Sequence, residues 1–250
     1  MPKKNLQCLT MAICLIATAA SGQSEDTEFA RRVLENADHI RFPRESFQVD
    51  VAINTTAAGQ PAEHRKYRIL SKGNENSVVM TTEPASERGQ ILLMKGRDLW
   101  IFMPDISQPI RLSMSQRLTG QVANGDLARA NFTGDYTPTI LRTDVINGEK
   151  YWVLELIGVD RSVTYHKVLY WVRQSNFWPY RAEFYALSDR LLKTARYEDF
   201  KMVLGIQRPK RLVMEDALHK GEESVLEYTE MKLRDLPDKI FTKDYLKKLE

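Results

Sequence analysis

From Phe47 to about Arg234, apolar side chains return at every second residue, in short runs separated by turn residues. A repeat of two sends successive side chains to opposite faces of an extended chain, so each run reads as a half-buried strand with one wet face. In the first, Phe47, Val49, Val51 and Ile53 alternate with Gln48, Asp50, Ala52 and Asn54. Ala58-Gly59-Gln60-Pro61 and Lys72-Gly73-Asn74-Glu75-Asn76 turn the chain into strands over 65–71 and 77–82. The series continues over 90–95, 99–103, 110–112, 136–143, 150–159, 167–173, 179–187, 191–200, 209–215 and 224–234. About twelve strands at this spacing, with no βαβ crossover, predict a mainly β (α+β) fold built on one large antiparallel sheet.

Three stretches carry a helical repeat instead. Phe29, Val33, Leu34, Ala37 and Ile40 line one face of a helix over 24–40, which Pro43 stops. Leu118, Val122, Leu127 and Ala130 suggest a second over 115–132, loosened by Gly120 and Gly125. Thr242 caps a third over 242–249. No linker rich in Pro, Gly or Ser divides the chain, so 23–250 reads as a single domain.

A twisted antiparallel sheet of this size curls, and its hollow must be filled. The positions read as facing inward are Val49, Val51, Tyr67, Ile69, Leu92, Met94, Trp100, Phe102, Trp152, Leu154, Leu156, Phe184, Leu212 and Met214. They either close into a plain core, which is the reading the residues alone favour, or leave room for a guest. Leu118, Val122 and Leu127 mark a movable cover or a fixed plug over that hollow.

Residues 1–22 have the form of an export leader. Lys3 and Lys4 precede an apolar run from Leu9 to Ala20, too short to span a bilayer, and Ala17-Thr18-Ala19 offers small residues for cleavage. A buried N-terminal helix is the plainer alternative, opposed by the polar stretch that follows. Ile13 before Cys14 does not suit a lipidation signal. Both cysteines, Cys8 and Cys14, lie in this segment, so the mature chain is expected in the periplasm, soluble and without a disulfide.

The composition excludes several classes of function. Lys and Arg number 36 against 33 Asp and Glu, no basic run exceeds two residues, and acids are interleaved throughout. That leaves no footprint for nucleic acid and no polybasic membrane anchor. No GxSxG, HExxH or SxxK occurs, and His39, His64, His166 and His219 are scattered. Asn124-Gly125-Asp126 reads as a helix start with Asp126 as its N-cap. Glu83, Glu87 and Asp105 cluster loosely without acid–base spacing. Neither catalysis, a metal nor a cofactor is expected.

Several segments, in order, resemble the bacterial outer-membrane lipoprotein-sorting protein family, the LolA-like periplasmic carriers. They are Glu87-Arg88-Gly89-Gln90-Ile91-Leu92-Leu93-Met94, Asp98-Leu99-Trp100-Ile101-Phe102-Met103-Pro104, Gly125-Asp126-Leu127, Leu169-Tyr170-Trp171-Val172, Pro179-Tyr180-Arg181-Ala182-Glu183-Phe184-Tyr185, Met214-Glu215-Asp216 and Leu236-Pro237-Asp238-Lys239-Ile240-Phe241-Thr242. The resemblance covers most of the mature chain. It departs at Asn124-Gly125-Asp126-Leu127, where the family's usual Gly-Ser-Asp-Phe would place a Ser and an aromatic.

What the resemblance implies is a half-open β-barrel covered by helices, whose concave face holds acyl chains of lipoproteins or other lipids crossing the periplasm. The implied donor is an inner-membrane transporter or permease complex. A lipid-sensing module partnered with a membrane-bound regulator is the other expectation. An escort is needed on physical grounds: at about 0.8 kcal/mol per buried methylene, a chain of about 15 is worth roughly 12 kcal/mol when shielded from water.

Overall fold

The computed structural model describes residues 13–246, and side chains from residue 25. The charged start of the expected leader and the last turn of the expected terminal helix lie outside the described residues. The first helix, α1 (Ile13–Arg41), contains the expected 24–40 stretch and ends just before Pro43. No helix among the described residues is long and apolar enough to cross a membrane.

Thirteen strands make one antiparallel sheet. The first half holds β1 (Phe47–Thr56), β2 (Glu63–Lys72), β3 (Asn76–Glu83), β4 (Ile91–Lys95), β5 (Asp98–Met103) and β6 (Ile106–Leu112). A two-stranded ribbon, β7 (Arg117–Thr119) with β8 (Val122–Ala123), and a short helix, α2 (Asn124–Ala128), interrupt the series. It resumes as β9 (Tyr136–Ile146), β10 (Glu149–Gly158), β11 (Lys167–Arg173), β12 (Pro179–Tyr185), β13 (Leu191–Val203), β14 (Ile206–Asp216) and β15 (Glu223–Leu233). A turn of helix, α3 (Lys243–Leu246), follows near the C-terminus.

Each half is a meander, and β1 pairs with β15 to join them, with Val51 opposite Tyr228. The order runs from β6 through β1 and β15 to β9, leaving β6 and β9 as open edges. The hairpin turns carry the left-handed backbone their tightness requires: Asn147 and Gly148 between β9 and β10 have φ of 53° and 83°. Curling brings the far ends together. Arg97, in the β4–β5 turn, donates to Asp135 at 3.3 Å and to the Gly134 carbonyl at 3.1 Å, immediately before β9.

The expected helix over 115–132 does not form. The chain there crosses the hollow as a strap made of the short β7–β8 ribbon, α2 and irregular turns, with only Asn124–Ala128 helical. The glycines explain this. Gly120 takes φ +48° in a turn where a Cβ would lie 2.3 Å from Ser224 Oγ and 2.4 Å from Thr55 Oγ1. Gly125 brings α2 so close to Thr164 that a Cβ would sit 2.0 Å from its hydroxyl oxygen.

The sheet is buried along its inner face and, at two places, on its outer face as well. α1 and the strap fill its inner face. On the outer face of β2–β5, Val78, Ile91 and Leu93 pack under Leu236, Phe241 and Leu246 of the C-terminal segment. A second outer cluster joins Tyr151, Val153 and Trp171, with the Arg181 guanidinium 3.9 Å above the Trp171 ring.

Candidate functional site

The hollow of the sheet gathers most of the residues the alternation marked. Val49, Val51, Tyr67, Ile69, Leu92, Met94, Leu154, Leu156, Phe184, Leu212 and Met214 share one buried cluster, and Trp152 packs half-buried against it. Trp152 meets Phe29 of α1 edge-on at 5.5 Å and Phe177 at 5.6 Å.

Trp100 and Phe102 belong to the other face, a correction to the alternation reading. In β4 and β5 both faces are apolar, so no polar side marks which is wet. Leu99 and Ile101 face the hollow, while Trp100, opposite Leu93, and Phe102, opposite Ile91, face the C-terminal segment. A shift of one residue exchanges the faces. Of the expected cover residues, Val122 and Leu127 are buried in the inner cluster and Leu118 packs on its border.

Alternation of apolar residues missed the polar content of the hollow. Tyr136, Tyr165, Tyr170, Tyr197 and Tyr228 are all buried there. Three of them, on β11, β13 and β15, stand at inward positions like Tyr67 on β2, and extending the reading of Tyr67 to them would have found them. Burial raises the Tyr165 and Tyr170 hydroxyls well above their ordinary pKa and pushes Tyr67 up to about 12, so these phenols stay neutral.

Buried ionic groups tie the strap down. Asp126 is not the N-cap of α2 but its third residue. Its carboxylate accepts from Ala123 N at 2.8 Å, from the Tyr165 hydroxyl at 2.7 Å and from Lys193 Nζ at 2.9 Å. Lys193 Nζ also donates to the Gln121 carbonyl. At the far end, Asp38 of α1 accepts from Phe132 N at 3.1 Å, Thr133 N at 2.8 Å and Thr133 Oγ1 at 2.7 Å. Arg41 pairs with Asp38 at 3.3 Å and lies 4.6 Å over the Phe132 ring. Burial pushes the Asp38 carboxyl up, against the pull of Arg41 and these donors. Arg129 pairs with Asp135 at 2.7 Å, and the Asn74 side chain donates to the Thr133 carbonyl at 2.8 Å.

Beneath the strap the packing is nearly complete. A cavity of about 30 Å³ remains among Arg41, Phe132, Tyr165, Phe184 and Tyr197. That is room for one or two waters, far below the several hundred Å³ of an organic-ligand pocket. A guest can enter the hollow only if the strap or α1 moves.

At the β14–β15 turn, Asp216, His219 and Glu222 bring three possible metal-ligand atoms within 4.8 Å of one another. Other bonds account for this approach: Asp216 accepts from Leu218 N at 2.7 Å and His219 N at 2.9 Å within the turn, and Glu222 accepts from Gln121 of the strap at 3.3 Å.

A curled antiparallel sheet with two open edges, bridged on its hollow side by one helix and a tied strap, defines a half-barrel of the lipoprotein-sorting type. A LolA superfamily protein from Nitrosomonas europaea is 69% identical, with a TM-score of 0.84 over 86% of this chain and 98% of that one. The chain belongs to the LolA superfamily. Two more distant structures share the fold: a DUF1329 family protein from Desulfovibrio piger (18% identity, TM-score 0.76, 88% of this chain and 99% of that one) and a putative outer membrane lipoprotein-sorting protein domain from Vibrio parahaemolyticus (20%, 0.75, 88% and 99%). A family model described as an uncharacterized protein matches residues 73–248. No curated protein sequence matches this one.

Proposed function

We propose that the chain is a soluble periplasmic carrier. It takes acyl chains of a lipoprotein or other lipid from an inner-membrane transporter or permease complex and moves them toward the outer membrane. The observation that carries this reading is how the hollow is covered. The strap places a few apolar side chains, chiefly Val122, Ala123, Leu127 and Ala128, on the sheet. Polar contacts through Asp126 and Asp38 hold it at its middle and at its C-terminal end. Apolar burial is non-directional, so acyl methylenes can replace those side chains against the sheet. The polar contacts break and re-form as discrete units, which suits a cover with two positions. Membership of the LolA superfamily supports the same reading, as does the leader-like start of the sequence.

The test is native mass spectrometry of protein exported with its own leader and extracted without harsh detergent. A population heavier by one lipid or acylated peptide is expected, exchangeable for an added acyl probe. Only ligand-free protein, together with no uptake of the probe, would contradict the proposal.

A further inference from the structure

Outside the strap lies a groove that the filled hollow does not include. It runs between the strap and the strand ends at the β10–β11, β12–β13 and β14–β15 turns. Two adjoining stretches, of about 250 and 300 Å³, share Ser115, Tyr165 and Leu192 as common walls. Together they reach the range of pockets that hold organic ligands. Val122, Val163, Ala186 and Leu192 give them an apolar lining, and Leu187 and Leu218, 62% and 60% exposed, stand on the rim.

The charges at this groove are unevenly committed. Its acids are engaged: Asp160 by Arg97, and Asp216 by the amides of its own turn. Lys193 is taken by Asp126. Arg117 and Arg190 border one stretch and Arg161 the other. All three are exposed, and among the described residues none of the three has an ion pair or a side-chain hydrogen bond. Unpaired guanidinium groups beside an apolar channel match one kind of molecule, a hydrocarbon chain ending in an anionic group that accepts paired N–H donors.

We infer that this groove binds the single acyl chain of an anionic phospholipid, with its phosphate at Arg117, Arg161 and Arg190. The inference rests on the carrier reading for its purpose and on the groove's own residues for its chemistry. Tyr165 forms a wall of the groove on one side and of the inner cavity on the other, and its hydroxyl holds Asp126. A chain seated here lies against the contact that fastens the strap, so the groove serves as an antechamber to the hollow.

The test uses lysophosphatidylglycerol brominated along its chain, with brominated lysophosphatidylcholine as the zwitterionic comparison. Bromine quenches a nearby indole. In the Leu187→Trp protein the anionic probe should quench the new groove indole, with an affinity at least about tenfold above that of the comparison. Adding Arg117→Gln and Arg190→Gln should lower that affinity about tenfold or more, since the headgroup then keeps Arg161 alone as a guanidinium partner. All three substitutions fall on exposed side chains, and an unchanged melting temperature will confirm intact folding. Quenching indifferent to headgroup charge, or untouched by the arginine substitutions, would overturn the inference. Quenching of native Trp152 without the groove indole would also overturn it, while leaving the carrier reading standing. Quenching of the groove indole with no ligand ever reaching the hollow would uphold the groove and sink the carrier reading.

Discussion

Replacing Asp126 by Ala is expected to cost about 3–5 kcal/mol of folding stability, the range for leaving one member of a buried ion pair alone. The carboxylate is 9% exposed and its Lys193 partner 6% exposed, so water is in no position to take over the lost contacts. The substitution strands the Lys193 ammonium and removes the acceptor of the Tyr165 hydroxyl and of the Ala123 amide. Urea unfolding at neutral pH measures the loss. Because Asp126 fastens the strap and not the sheet, uptake of an acyl probe by the remaining folded protein should rise. A loss below about 1 kcal/mol would show that the pair does not hold the strap.

The second large effect is expected at Leu154. Its side chain is fully buried in the inner cluster, and Leu→Ala in such a site costs about 2–5 kcal/mol through lost transfer energy and the cavity left behind. Here the lesion lies in the sheet. Urea unfolding should show the loss, and a saturating acyl ligand that fills the new space should restore part of it, by the linkage of binding to folding. The parent protein should gain less from the same ligand, because it has no such space to fill. Equal gains in variant and parent would argue that the ligand sits away from Leu154.

The strands were legible in the sequence where one face is wet. β1, β2 and β15 differ by one to three residues at their ends, and β11, whose Trp171 is covered on the outer face, is still bounded by its charged ends Lys167 and Arg173. Alternation lost its meaning in β4 and β5, where the C-terminal segment covers the second face and Trp100 and Phe102 turn toward it. The strap misled for another reason. Spacings of four, five and three residues along Leu118, Val122, Leu127 and Ala130 imitate a helix, but close approaches at Gly120 and Gly125, which involve residues from distant strands and loops, decide the local conformation. The polar fastening was hidden for the same reason. Lys193 and Asp126 are 67 residues apart, and Asp38 and Thr133 are 95 apart, so neither pair forms a local pattern.

A lock on the strap tests the account most directly. A Cβ on Gly125 would lie 2.9 Å from Thr164 Cβ, closer than the roughly 3.5–4.5 Å a disulfide spans, so Gly125→Cys with Thr164→Cys joins α2 to the β10–β11 loop once the two backbones move apart by about 1 Å. The probe is a diacylated peptide without net charge, too large for the outer groove. Reduced protein should take it up, oxidised protein should take up less than about a tenth as much, and reductant should restore uptake. Equal uptake in the two redox states would mean that guests do not enter beneath the strap.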